Sequence, residues 1–212
     1  MLGGRKGILF VISGPSGVGK GTLKDRLLAR QEGIEYSISA TTRPMRDGEI
    51  NGVHYFFLAK PEFERMIASG DFLEWAVVYD NYYGTPRRFV LDNLNQGKDV
   101  LLEIDIQGAR QIRERYPEGV FIFIAPPSLT ELAKRLELRG KDSPEVIRQR
   151  LSHYDEEMAE IVNYDYAVIN DDLEYTTLKL SAIITAERCK VVRFIRRDEI
   201  GTAFDQQTDE GK

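Results

Sequence analysis

Hydrophobic positions along this chain come in short, dense runs separated by amphipathic stretches. The segment Gly7-Ile-Leu-Phe-Val-Ile-Ser13 is apolar at consecutive positions and rich in branched side chains, the pattern of a strand covered on both faces of a parallel sheet. Its end is marked by Gly14-Pro15. Beyond a glycine-rich stretch, Leu23, Leu27 and Leu28 recur at helical spacing among Lys24, Asp25, Arg26 and Arg30, which predicts an amphipathic helix ending near Gly33. Comparable buried runs recur at Asp99-Val-Leu-Leu-Glu-Ile-Asp105, Val120-Phe-Ile-Phe-Ile-Ala125 and Tyr166-Ala-Val-Ile-Asn170, each ahead of a helix-like segment. Strand and helix alternating in this way predict an α/β protein built on a parallel sheet.

Two stretches break the pattern. Residues 38–92 are aromatic and glycine-punctuated, with pieces such as Val53-His-Tyr-Phe-Phe-Leu58 and Phe72-Leu-Glu-Trp-Ala-Val-Val78, and they predict an inserted lobe. Residues 128–161 carry two amphipathic helical patterns broken between Gly140 and Pro144, with Arg135, Arg139, Arg148 and Arg150 flanking the break; this is the composition of a mobile lid. The core domain is then expected to be discontinuous, over residues 1–37, 93–127 and 162–200. Residues 201–212 are polar and acidic with little to bury, and predict a flexible tail.

Composition narrows the class. At 212 residues the chain has room for one core carrying inserted lobes. Its 42% hydrophobic and 30% charged residues are ordinary values for a soluble protein. A net charge of −5 repels a polyanion on average, so general nucleic-acid binding is disfavoured and any gripped anion must meet a local basic cluster. Cys189 is the lone cysteine and has no internal disulfide partner, while His54 and His153 are too few and scattered for a metal cluster; the reading is cytoplasmic. Arg5 and Lys6 precede an apolar run, but Ile8 to Ile12 is shorter than a signal-peptide core and far below a membrane span.

Between the first predicted strand and the first predicted helix, Gly14-Pro-Ser-Gly-Val-Gly19-Lys20 has the spacing G-x-x-x-x-G-K, the context a phosphate-binding loop requires. Glycines let the backbone curl so that successive N–H groups face one anion, and the helix N-terminus adds partial positive charge. Lys20 is expected at the β- and γ-phosphates of ATP, with Gly14, Pro15, Ser16, Gly17, Val18, Gly19, Gly21 and Thr22 completing the cradle. Gly21 stands where many such loops place a Ser or Thr on magnesium. Mg²⁺ is therefore expected to be held mainly by ATP and water, with Thr22 or Asp105 as open candidates. The chain has no N-K-x-D element, which disfavours a regulatory GTPase.

A phosphate loop specifies a nucleotide and no reaction; the acceptor side comes from the inserted lobe. Ser39-Ala-Thr-Thr-Arg43-Pro-Met-Arg46-Asp-Gly-Glu49 sets two guanidinium groups three residues apart, suited to forking onto phosphate oxygens. Tyr55 and Tyr83 offer hydroxyls beside them. These segments, with Leu73-Glu-Trp-Ala, Asn81-Tyr-Tyr-Gly-Thr-Pro86 and Glu103-Ile-Asp-Ile-Gln-Gly108, closely resemble the guanylate kinase family, in order and from about Gly7 to Arg188. Ile124-Ala-Pro-Pro-Ser128, Arg135, Arg139-Gly140 and Ile169-Asn-Asp-Asp172 continue the likeness.

The resemblance implies a three-layer P-loop NTPase core with a parallel β-sheet, an inserted mixed α/β GMP-binding lobe and a helical lid, moving a phosphoryl group from ATP to GMP with Mg²⁺. It implies Arg43, Arg46, Tyr55 and Tyr83 at the GMP phosphate, Glu49 in the same pocket, and Ser39, Glu74, Thr85 and Asp105 around guanine with Glu103 in support. The chemistry is coherent, because guanine offers N1–H and N2–H₂ as neighbouring donors that one carboxylate accepts together. Adenine, with an acceptor at N1, leaves that carboxylate unpaired. Asp105 keeps two roles open, guanine recognition or an indirect Mg²⁺ contact. Lys20, Arg43, Arg139 and Arg150 are implied to stabilise charge on the transferring phosphoryl group, with Arg135 on phosphate and Asn170 near adenine. Two rival readings stay in view: a kinase for another nucleoside monophosphate, which leaves Ser39, Glu74 and Thr85 unexplained, and a binding module for protein partners, which has no use for Lys20. Oligomeric state is not legible.

Overall fold

In chain order, β1 (Leu9–Ser13) leads through a loop into α1 (Lys20–Arg30) and the short β2 (Ile34–Tyr36). There follow β3 (Ala40–Thr41), β4 (Phe56–Phe57), α2 (Lys60–Ala68), β5 (Phe72–Val78), β6 (Asn81–Pro86) and α3 (Arg87–Asn95). Next come β7 (Asp99–Glu103), α4 (Ile106–Arg115), β8 (Val120–Ala125), α5 (Leu129–Arg139), α6 (Pro144–Ser152), α7 (Tyr154–Ala159) and a 3-10 turn (Glu160–Asn163). The described residues close with β9 (Tyr166–Ile169), α8 (Leu173–Arg188) and a second 3-10 turn (Val191–Arg193). This computed structural model describes residues 6–78, 80–140 and 143–193, the Arg139 side chain excepted. The expected tail at 201–212 lies outside the described residues.

One sheet runs β2-β7-β1-β8-β9, with every pairing parallel. The pleat explains why β1 is apolar at each position. Phe10 and Ile12 point to one face, where Leu23 and Leu27 of α1 and Leu180 and Ile184 of α8 cover them. Leu9 and Val11 point to the other, under Val90 and Leu94 of α3 and Ala109 and Ile112 of α4. Each large side chain so buried contributes about 1.5–3 kcal/mol. Helices on both faces of a parallel sheet make the three-layer architecture of P-loop NTPases. Three-residue β2 pairs with Asp99, Val100 and Leu101 of β7 at the sheet edge; it was too short to register as a strand in the hydrophobic pattern.

The second sheet runs β4-β3-β6-β5 and is mixed, β3 and β4 being parallel and the other pairs antiparallel. Phe63 of α2 fills its small core, stacking on Phe72 at 4.3 Å and on Tyr82 at 5.2 Å between ring centroids. Register shifts between Phe72 and Glu74. Across that irregularity β5 serves two cores, Phe72 in the small one and Leu73 in the main one.

The described residues of 128–161 form three α-helices where the sequence pattern predicts two. Ser128 caps α5 through the Glu131 N–H at 3.1 Å, and Gly140 ends it with φ 61°. Ser143 caps α6 and Pro144 occupies its first turn. The extra break falls at His153, next to Ser152, whose hydroxyl donates to the Gln149 carbonyl at 2.8 Å and diverts an acceptor at the helix end.

Candidate active site

A cleft of about 1240 Å³ opens at the carboxyl ends of β1 and β7, bounded by the small sheet and by helices α5 to α7. That exceeds what one small ligand requires, and the location is the usual one for ligands of open parallel sheets.

The donor end is built on the loop from Gly14 to Thr22. Gly14, Gly17 and Gly19 have φ of 141°, 88° and 99°, angles that strain any residue with a Cβ. A Cβ on Gly14 would also run into the Ile124 carbonyl. Gly14, Ser16, Gly17, Gly19, Lys20 and Gly21 all face the cleft, and Thr22 joins them from the start of α1. Pro15 and Val18 contribute through main chain: the Pro15 carbonyl accepts from Lys20, while the Val18 side chain is fully buried in the core. Lys20 Nζ donates to the carbonyls of Gly14 at 2.6 Å and Pro15 at 3.1 Å. Burial pulls its pKa below the ordinary lysine value, against the raising influence of the Glu103, Glu157 and Asp105 carboxylates.

Asn170 sits beneath this loop. Its Nδ2 donates to the Val18 carbonyl at 2.8 Å, and its own carbonyl accepts from Arg135 at 2.9 Å. The amide sequence reasoning put near adenine thus braces the phosphate loop from behind, while the guanidinium of Arg135 lines the cleft. Arg150 reaches from α6 to Ser16 Oγ at 2.7 Å, and Glu157 of α7 accepts the Ser16 N–H. Burial holds Glu157 above the usual carboxylate range in spite of nearby Lys20. Arg139 ends α5, and its side chain lies outside the described residues.

The acceptor end gathers the lobe residues. Arg43 forks onto Glu49 with N–O distances of 3.0 and 2.8 Å, and the Arg46 N–H donates to Glu49 at 2.7 Å. Glu49 therefore fixes Arg43 and leads the 43–49 loop inward. Burial works against the Arg43 charge, but the Glu49 pair and Tyr83 outweigh it and raise its pKa. The Arg43 guanidinium also lies 5.6 Å from the Tyr55 ring, which packs edge-on to Tyr83 with centroids 6.0 Å apart. Arg46, Tyr55, Tyr83 and the nearly buried Ser39 all line the cleft.

Glu74 is 3% exposed, yet it faces the same cleft. Thr85 Oγ1 donates to its Oε1 at 2.6 Å and the Thr85 N–H also reaches the carboxylate. Burial, and secondarily Asp105, push its pKa up to about 8 in spite of those two donors. Thr85 is itself fully buried behind Glu74, so its hydroxyl orients the carboxylate. Asp105 lines the cleft and caps α4, accepting the Gly108 N–H at 2.9 Å. Glu103 faces Gly21, its Oε1 3.6 Å from where a Cβ there would stand.

Among the cleft residues that escaped sequence reasoning are Tyr36, Lys24 and Glu157. Tyr36 ends the unrecognised β2, with Lys24 Nζ 4.4 Å from its ring centroid. Glu157 follows Arg150 by seven residues, a spacing that puts both on one helical face and was the available signal.

A lysine-bearing glycine loop between strand and helix, facing an acceptor pocket across one cleft, defines a P-loop NTPase of the nucleotide-kinase kind. The comparisons narrow this. The guanylate kinase family model matches residues 6–187. The chain is 60% identical over 187 residues to guanylate kinase from Syntrophomonas wolfei, covering 88% of this chain and 96% of that one. It is 53% identical over 189 residues to guanylate kinase from Caldanaerobacter subterraneus, covering 89% and 92%. The crystal structure of guanylate kinase from Anaplasma phagocytophilum superposes with a TM-score of 0.79 at 34% identity, covering 98% of each chain. The chain belongs to the guanylate kinase family, and its activity is that of a nucleoside monophosphate kinase.

Proposed function

We propose that this guanylate kinase transfers the γ-phosphoryl group of ATP to GMP, giving ADP and GDP, with the two nucleotides lying phosphate to phosphate along the cleft. The observation that carries this reading is Glu74: a buried carboxylate, oriented by two Thr85 donors, opening on the cavity that holds Lys20. In that reading Glu74 accepts guanine N1–H and N2–H₂, with Ser39 and Asp105 beside the base. Arg43, Arg46, Tyr55 and Tyr83 take the GMP phosphate, Glu49 holding Arg43 in place. The loop amides and Lys20 take the ATP phosphates.

Charge spread over the transferring group is met by Lys20, Arg43 and the lid arginines Arg135, Arg139 and Arg150, so alignment and neutralisation carry the rate and no protein nucleophile is needed. Thr22, Glu103 and Asp105 are hard oxygen donors on the cleft wall near Lys20. They fit a magnesium ion that keeps several waters. Bound with ATP, that ion would neutralise phosphate charge. The units are a core (1–37, 93–127, 162–200), a GMP lobe (38–92) and a lid (128–161), the last two closing to exclude water. A reducing cytosol suits exposed, unpaired Cys189, and no helix among the described residues is long and apolar enough to cross a membrane.

ADP formation from ATP·Mg with GMP, dGMP, AMP, CMP and UMP in turn tests the reading. GMP is expected to be used best, by at least about a hundredfold over AMP. Equal use of AMP and GMP would refute it.

A further inference from the structure

Beyond its N-cap Asp105, helix α4 carries no group with a part in the reaction so far. Yet it holds the strand bearing Glu74 at three positions on one helical face, 108, 111 and 115. Gln111 Nε2 donates to the Trp75 carbonyl at 2.6 Å, and its Oε1 accepts the Trp75 N–H at 3.4 Å. A side-chain amide thereby gives the outer edge of β5 the pairing that a further strand would supply. Arg115 donates to the Leu73 carbonyl. The main chain on both sides of Glu74 is therefore pinned to α4.

Gly108 meets the carboxylate itself. A Cβ built there would stand 2.6 Å from Glu74 Oε2 and 3.0 Å from its Cδ. Backbone conformation does not explain this glycine, since residue 108 is absent from the positive-φ glycines and glycine is a poor helix former. The contact does explain it. Oε1 is held by Thr85 at 2.6 Å and Oε2 rests on a helical turn that has no side chain, so the plane of the carboxylate is set between strand and helix.

We infer that Gly108 and Gln111 are specificity-determining positioning residues, which aim the Glu74 carboxylate at the paired donors of the purine. This rests on Glu74 reading the base. In Gly108→Ala the new methyl cannot be accommodated by α4, which is tied at Asp105, Gln111 and Arg115, so the carboxylate must turn.

Steady-state kinetics with ATP and either GMP or AMP, together with thermal melting, separate the possibilities across Gly108→Ala, Gln111→Leu and Glu74→Gln. For Gly108→Ala the expected result is an unchanged KM for ATP and a melting temperature no lower than the parent's, because alanine favours the helix. KM for GMP should rise roughly ten- to a hundredfold, the scale of an ångström's misplacement, and the GMP-over-AMP preference should fall alongside it. Gln111→Leu should shift both quantities in the same direction by a smaller factor. A parental GMP KM and preference in Gly108→Ala, while Glu74→Gln loses the preference, would overturn the inference and leave the base-reading role of Glu74 standing. Parallel losses for ATP and GMP with a lowered melting temperature would overturn it too, as signs of general structural damage. Intact preference in Glu74→Gln would instead remove the base-reading role, and the inference with it.

Discussion

GMP binding should release close to one proton at neutral pH. Glu74 titrates at about 8 against an ordinary value of 4.5, so at pH 7 only about a tenth of the molecules hold it ionised. Pairing with guanine N1–H and N2–H₂ requires the anion, and roughly nine-tenths of a proton must leave per GMP bound. The span from 4.5 to about 8 corresponds to a cost on the order of 5 kcal/mol for ionising Glu74 in this dry site, which the purine's donors offset. The sign follows. Because the folded-state value is raised, the contribution of this group to stability is full below about 4.5 and is lost as pH rises through about 8. GMP affinity runs the other way, strengthening about tenfold per pH unit up to about 8 and levelling off above it. Calorimetric titration of GMP at pH 7 in two buffers of different ionisation enthalpy measures the proton count directly. The phosphate's own residual proton is common to the parent and Glu74→Gln, and drops out of their difference. If that difference is zero, Glu74 either binds as the neutral acid or never meets the base, and the reasoning fails.

Lys20→Ala should lower kcat by about a hundredfold or more, since it removes one preorganised donor to developing charge, while calorimetry shows GMP affinity unchanged. Glu49→Gln frees Arg43 from its two-pronged partner; KM for GMP should rise about tenfold, the worth of a charge-assisted hydrogen bond, with KM for ATP unmoved. Asn170→Leu leaves the Val18 carbonyl without its buried donor. It should cost about 2 kcal/mol, read as several degrees in melting temperature, and should raise KM for ATP more than KM for GMP.

The parallel sheet and the phosphate loop were legible because their signal is local. An apolar run such as Gly7 to Ser13 needs both faces covered, and glycines at 14, 17 and 19 announce backbone angles that other residues avoid. The small sheet was legible only as a change in texture. Strands of two residues, such as β3 and β4, have no periodicity to detect; they are placed by pairing with each other and with β6, and by Ala40 packing in the small core with Phe63. On the acceptor side, residue types announced the chemistry but not the contact order. Thr85 and Glu49 were expected in the GMP pocket, and the folded chain pairs their polar atoms with Glu74 and Arg43. Asn170 likewise faces Val18. A polar residue in a motif signals that some partner is near; whether that partner is ligand or protein depends on contacts 11 or 152 residues away in the chain.

The loop around Arg43 and Arg46 has a bearing on turnover. With Glu49 held by the Arg43 guanidinium and the Arg46 main-chain N–H, the three charged groups sum to a single positive charge, and in the proposed reading the rest of the grip comes from neutral tyrosine hydroxyls. An enzyme whose second product carries one more phosphate than its acceptor has to let go of the more anionic species, and a deeply cationic hole would retain it and slow every cycle. On the proposed reading Glu49 both aims Arg43 at the GMP phosphate and limits the net charge around it, which favours exit of the more anionic product.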